Sequence, residues 1–214
     1  MKHTMSRRGQ SSLGMVQTAL FAALIVALSV LPFVGYIPLG FTNATTIHIP
    51  VILGSILLGP KRGAVLGGVF GLTSLINNTL YPKVTSFVFT PFFSGGVAEG
   101  GIGSLVVCFV PRILVGIVPY YVYKFLSRGD KRRPLALAVA GFFGSMTNTL
   151  LVMNLIYLLF GQQWAAAQEK ASEFLYGIIL SVIGVNGVPE AIVAALLTML
   201  VGGALLRAGV GRRQ

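Results

Sequence analysis

Apolar residues run through this chain in long blocks, while charge, proline and glycine gather in the short segments between them. About 20 consecutive apolar residues make a helix that crosses the roughly 30 Å hydrocarbon layer of a bilayer. Six blocks stand out, at residues 13–31, 47–59, 63–80, 102–125, 134–160 and 174–206. The second is short and contains Pro50, which predicts a partial or tilted helix. The pattern predicts an all-α integral membrane protein, a compact bundle of six transmembrane helices. One membrane domain is expected over residues 13–206, with a basic segment 1–12 before it and a basic tail 207–214 after it. The opening MKHTMSRRGQSSLGMVQ is basic like the start of a signal peptide. No small-residue cleavage site followed by a soluble domain appears, so the first block is read as a retained span.

Composition sharpens the class. The 214 residues are 55% hydrophobic and only 10% charged, where a soluble domain carries roughly 25%. The net charge of +11 would suit nucleic acid, but its distribution suits a membrane. Six spans place both termini on one side, together with the loops GPKRG and SRGDKRRP, and thirteen of the sixteen Lys and Arg residues fall there. Lys83 and Lys170 lie opposite, and Arg112 lies inside a span. The positive-inside rule makes the termini and basic loops cytoplasmic. Their clusters read as topology signals that touch anionic lipid headgroups, with no nucleic-acid partner. The lone Cys108 excludes an intrachain disulfide.

The external segments differ in kind. Residues 32–46 are turn-rich, residues 81–101 carry Tyr81, Phe87, Phe89, Phe92 and Phe93, and residues 161–173 hold the only tryptophan, Trp164. Such aromatics form either an interfacial belt or a cover over a site. Small residues recur every four positions at Ala19, Ala23 and Ala27 and again at Gly63, Gly67 and Gly71. Stripes of this kind let helices approach closely, inside the bundle or against another subunit.

Arg112 is the residue that needs explaining. At the middle of a span an arginine costs from about 2.5–3.5 to about 10–17 kcal/mol unless it is paired. At about 1.5 Å per residue, Arg112 lies roughly 15 Å below the external end of its span. Asn148 and Asn186 come out near 18 Å, Asn154 nearer 9 Å and Glu190 nearer 24 Å by the same approximate measure. Pro111 and Pro189 flank this layer and free the carbonyls of Val107 and Val185. Asn186 and Glu190, four apart, share a helical face. Two readings follow: Arg112 pairs with Glu190 as a structural bridge, or it holds an anionic ligand in a cavity open to the outer face. The chain has no GxxxxGK[ST] phosphate loop. His3 and His48 are isolated, which gives no metal site, and no cofactor is implied. Glu190 as a proton relay would make the chain a secondary transporter, but inverted repeats are missing. No reactive constellation supports an enzyme.

Six spans, the alanine stripe, TTIHIPVILGSILLGPKRGAVLGGVFGLTSLINNT across spans two and three, and PRILVG in span four resemble the substrate-binding S components of energy-coupling factor (ECF) transporters. The stretch from HIPVILG to SLINNT looks most like the pantothenate-type members, a subgroup also assigned to hydroxymethylpyrimidine. The resemblance implies a non-catalytic, high-affinity vitamin-binding subunit in a prokaryotic plasma membrane. It also implies docking, through Ala19 and Ala23 with Ala27 continuing the stripe, on a membrane-embedded T component that carries two cytoplasmic ATPases. The expected binding set is Arg112 for a carboxylate and Asn148, Asn186 and Asn154 for amide and hydroxyl groups, with Glu190 and Asn77 beside them. Trp164 and the phenylalanines of residues 81–101 would cover the apolar end of the vitamin.

Overall fold

The computed structural model describes residues 7–31, 36–38, 43–94, 98–127, 133–167 and 175–210. The body is helical. Helix α1 spans Arg7–Val30, α2 His48–Leu58, α3 Pro60–Leu80, α4 Ile102–Val115, α5 Val118–Leu126, α6 Arg133–Ala167, α7 Leu175–Val182 and α8 Val188–Arg207. Between α1 and α2, in the stretch read as turn-rich, a two-stranded antiparallel ribbon pairs β1 (Tyr36–Pro38) with β2 (Asn43–Thr45).

Among the described residues, five stretches are long and apolar enough to cross a membrane, and α2 is a further, shorter apolar helix. Its 11 residues reach only about 16 Å at 1.5 Å per residue, too short for a roughly 30 Å layer. All of them are buried, as expected of a helix apolar on every face. Pro50 sits in the first turn, where its missing N–H costs no helical bond. Gly59 ends α2 at φ 91°, a backbone region that glycine enters freely, and Pro60 starts α3 at once.

Two expected spans are interrupted. Residues 102–125 form α4 and α5 with a tight turn at Gly116 and Ile117, where Gly116 N donates to Ile113 O at 3.0 Å and Ile117 N to Leu114 O at 2.9 Å. The last span passes from α7 to α8 through a π-turn, Ile183–Gly187, whose wide ring closes with Val188 N donating to Ile183 O. Pro189 lies just beyond and supplies no amide for Val185 O, which gives the turn its physical cause. Helix α6 is longer than expected: it runs on to Ala167, so Trp164 sits on a helix and not in a loop.

The glycine stripe packs inside the bundle. A Cβ at Gly63 would run into the carbonyl of Gly116, one at Gly67 into the carbonyl of Arg112, and one at Gly71 would lie 2.7 Å from the Phe109 ring. Helices α3 and α4 therefore meet backbone to backbone, and Cys108 Sγ donates to Gly71 O at 3.2 Å. The alanine stripe behaves oppositely. Ala19, Ala23 and Ala27 are all exposed on α1, whose described side chains are buried only at Gly14 and Ile25.

Two apolar cores result. The first surrounds α2 and includes Ile25, Val51, Ile52, Leu66, Phe70 and Leu137. The second lies at the other end of the bundle, where Phe87, Val107, Val152, Phe160, Trp164 and Ile179 meet.

Candidate functional site

Arg112 lies between these cores. It is 6% exposed, and its Nη1 donates to Val107 O at 2.6 Å. Pro111 has no N–H to give that carbonyl, so the neighbouring guanidinium takes the bond. Two phenylalanine rings also face the guanidinium. The guanidinium carbon is 5.5 Å from the centroid of Phe70, on α3, and 5.0 Å from that of Phe89, in the segment between α3 and α4. A ring face attracts a cation through its quadrupole and does not neutralise its charge.

The neighbouring helices bring the expected asparagines to this level. Gly103 meets Phe160, and Gly144 meets Pro119, which fixes α4 antiparallel to α6. Continued between those contacts, the register sets Arg112 opposite Leu151, within about one turn (5.4 Å) of Asn148. Gly187 packs on Thr149, so Asn186 belongs to the same layer. Asn148 is 8% exposed, and its buried Oδ1 accepts no hydrogen bond from the described residues. Asn186 is half-buried in the π-turn, and Glu190 is half-buried in the first turn of α8. Arg112, Asn148 and Asn186 thus lie at about one level of the bundle.

The other expected residues lie apart from that layer. Asn154 is half-buried and spends its amide on Leu150 O at 2.7 Å, within its own helix. Trp164 is 6% exposed in the second core, with Phe87 and Phe160, which removes these aromatics from a lipid-facing belt. Asn77 is half-buried near the end of α3. The polar bond to the outer segment comes from its neighbour Asn78, whose Oδ1 accepts from Ser86 Oγ at 2.9 Å. A cavity of about 220 Å³ opens beside that segment, lined by Asn78, Thr79, Pro82, Thr90, Phe92 and Phe93, with Ser94 at its edge.

Sequence reasoning missed Phe70 as a partner of Arg112 and did not single out Phe89 among the loop aromatics. A buried arginine calls for cation-holding neighbours, but nothing in a linear sequence says which aromatic comes within 5–6 Å.

The described residues thus form a multi-pass helical membrane protein with a buried arginine at the level of two asparagines. The family described as "ECF transporter, substrate-specific component" matches residues 14–202, and the chain belongs to it. It is a transport subunit of the prokaryotic plasma membrane and not an enzyme. Among its relatives is the pantothenic acid transporter PanT of Lactococcus lactis subsp. cremoris, 40% identical over 167 residues, 77% of this chain and 78% of that protein. The pantothenate transporter PanT of Leuconostoc mesenteroides subsp. mesenteroides is 29% identical over 92% of this chain and 95% of its own length. A solved S-component for biotin from an ECF-type ABC transporter aligns over 92% of this chain and 94% of that one, at 18% identity and TM-score 0.46.

Proposed function

We propose that this chain binds pantothenate at the outer face of the membrane and delivers it through an ECF transporter. The observation that carries the cargo is the 40% identity to a pantothenic acid transporter over more than three-quarters of both chains. The chemistry of the layer supports it. Pantothenate has one carboxylate, one amide and two hydroxyls. Arg112 takes the carboxylate through charge-assisted hydrogen bonds. Asn148 and Asn186 pair with the amide and hydroxyls, with Asn154, Glu190 and Asn77 at the margins. Trp164 and the phenylalanines of the outer segment enclose the dimethyl end. Helix α2 counts as a sixth, short span of a single membrane domain over residues 13–206, flanked by basic segments. Both termini are cytoplasmic, as the basic loops require.

Membership of the family implies association with a T component and ATPase modules. In the finer reading, two cytoplasmic ATPases supply the energy, and Ala19 and Ala23, or Ala23 and Ala27, meet the T component. The exposure of this stripe supports that role.

Titration calorimetry of the purified chain tests the cargo with pantothenate, hydroxymethylpyrimidine and pantothenol, whose carboxylate is replaced by an alcohol. Pantothenate binds tightest, and Arg112→Ala removes its advantage over pantothenol. Tight binding of hydroxymethylpyrimidine with none of pantothenate would overturn the assignment. Full pantothenate affinity in Arg112→Ala would remove the carboxylate role of Arg112.

A further inference from the structure

The segment that carries Phe89 is tied down on both sides. Ser86 Oγ donates to Asn78 Oδ1 at 2.9 Å and accepts from Lys83 N at 2.9 Å. The hydroxyls of Thr79 and Thr90 share a hydrogen bond of 2.7 Å. Ser104 Oγ, at the start of α4, donates to Phe87 O at 2.6 Å. Phe87 itself is fully buried and meets Phe160 edge to face at 5.8 Å. Phe89 thus stands two residues after one anchor and one residue before another. Polar ties of this number hold a backbone in one place. Its ring, 5.0 Å from the Arg112 guanidinium, is delivered by a fixed turn and not by a loose loop.

We propose that Phe89 is a positioning residue for Arg112, and that it gives the site its preference for a carboxylate over a neutral group. This rests on the reading of Arg112 as the group that takes the carboxylate. Arginine has several rotatable bonds, and a ligand that must order them loses affinity in doing so. Val107 O fixes one nitrogen of the guanidinium, and the ring faces restrict its plane. An aromatic face, unlike a carboxylate, holds a cation without cancelling its charge. A neutral ligand makes no charge-assisted bond to Arg112 and gains little from this arrangement.

The test is calorimetry on the purified full chain with pantothenate and pantothenol, comparing Phe89→Leu, Phe89→Tyr and Arg112→Ala. Leucine fills much of the space without the quadrupole. Pantothenate affinity falls about 3- to 30-fold in Phe89→Leu, the range expected when a partly desolvated cation–π contact is lost. Pantothenol affinity stays level, and Phe89→Tyr retains the wild-type preference. If Phe89→Leu does not fold, Phe89→Met serves the same comparison. Equal losses for both ligands would make Phe89 a packing residue and overturn the inference, as would undiminished pantothenate binding. If Arg112→Ala erases the preference while Phe89→Leu keeps it, only the role of Phe89 fails. If Arg112→Ala itself keeps the preference, the carboxylate reading fails and takes this inference with it.

Discussion

Asn148→Leu separates stability from function at the centre of the site. Asparagine and leucine side chains have the same branching and the same number of heavy atoms, so the swap alters polarity more than shape. Asn148 is 8% exposed, and among the described residues its Oδ1 accepts no hydrogen bond. A buried polar atom left unsatisfied costs about 1–3 kcal/mol. Removing it stabilises the ligand-free protein by about that amount, which for a chain of this size raises the unfolding midpoint by about 2–12 °C. Trp164, buried in the second core, reports unfolding by its fluorescence, and the chain has no other tryptophan. Pantothenate reverses the order. At about 100 times Kd it adds roughly 2.7 kcal/mol to wild type and nothing to a variant that has lost its amide partner. The reasoning fails if ligand-free Asn148→Leu unfolds below wild type, which would mean that Oδ1 is satisfied. It fails equally if pantothenate still raises the variant's midpoint.

Three further predictions concern the backbone and the surfaces. Pro111→Ala restores an amide that competes for Val107 O, the carbonyl now held by Arg112 at 2.6 Å. Pantothenate affinity should fall about 10- to 150-fold, for a charge-assisted bond worth roughly 1.5–3 kcal/mol, with no loss of thermal stability; unchanged calorimetric affinity would refute this. Gly67→Leu forces α3 away from the Arg112 carbonyl and should destabilise by about 1–3 kcal/mol, with pantothenate binding lost. Ala23→Trp, on an exposed face, should leave binding by the isolated chain intact and abolish co-purification with the T component. A stable, binding-competent Gly67→Leu would contradict the packing, and normal assembly of Ala23→Trp the docking.

Hydropathy reports contact with lipid, and it succeeds where helix and lipid end together. The long spans, the shortness of α2 and the buried Arg112 were legible on that basis. Pro111 announced that Val107 O would lose its helical partner, although not that Arg112 would replace it. The turn at Gly116 escaped notice because its surroundings, ILVGIV, are apolar whatever the backbone does. Trp164 was misplaced because Gly161, Gln162 and Gln163 end the apolar run while α6 continues. The glycine stripe predicted a close contact but not its partner, since four-residue spacing looks the same from inside the bundle and outside it. Asn77 and Asn78 are adjacent in sequence yet point about 100° apart on a helix, and single-residue accuracy of that kind requires the packed structure.

The π-turn at Ile183–Gly187 bears on how relatives are compared. It absorbs one more residue than an ordinary α-turn, so the two halves of the last span obey separate helical wheels. Leu175 and Ile179 mark the inward side before it, and Gly187, Ala191, Ala194, Thr198 and Gly202 the inward side after it. A relative without the bulge would need a one-residue gap between positions 182 and 188. Placed after the bulge, that gap would pair this chain's Asn186 with the relative's neighbouring position, about 100° round the helix, and a shared residue would be scored as a difference.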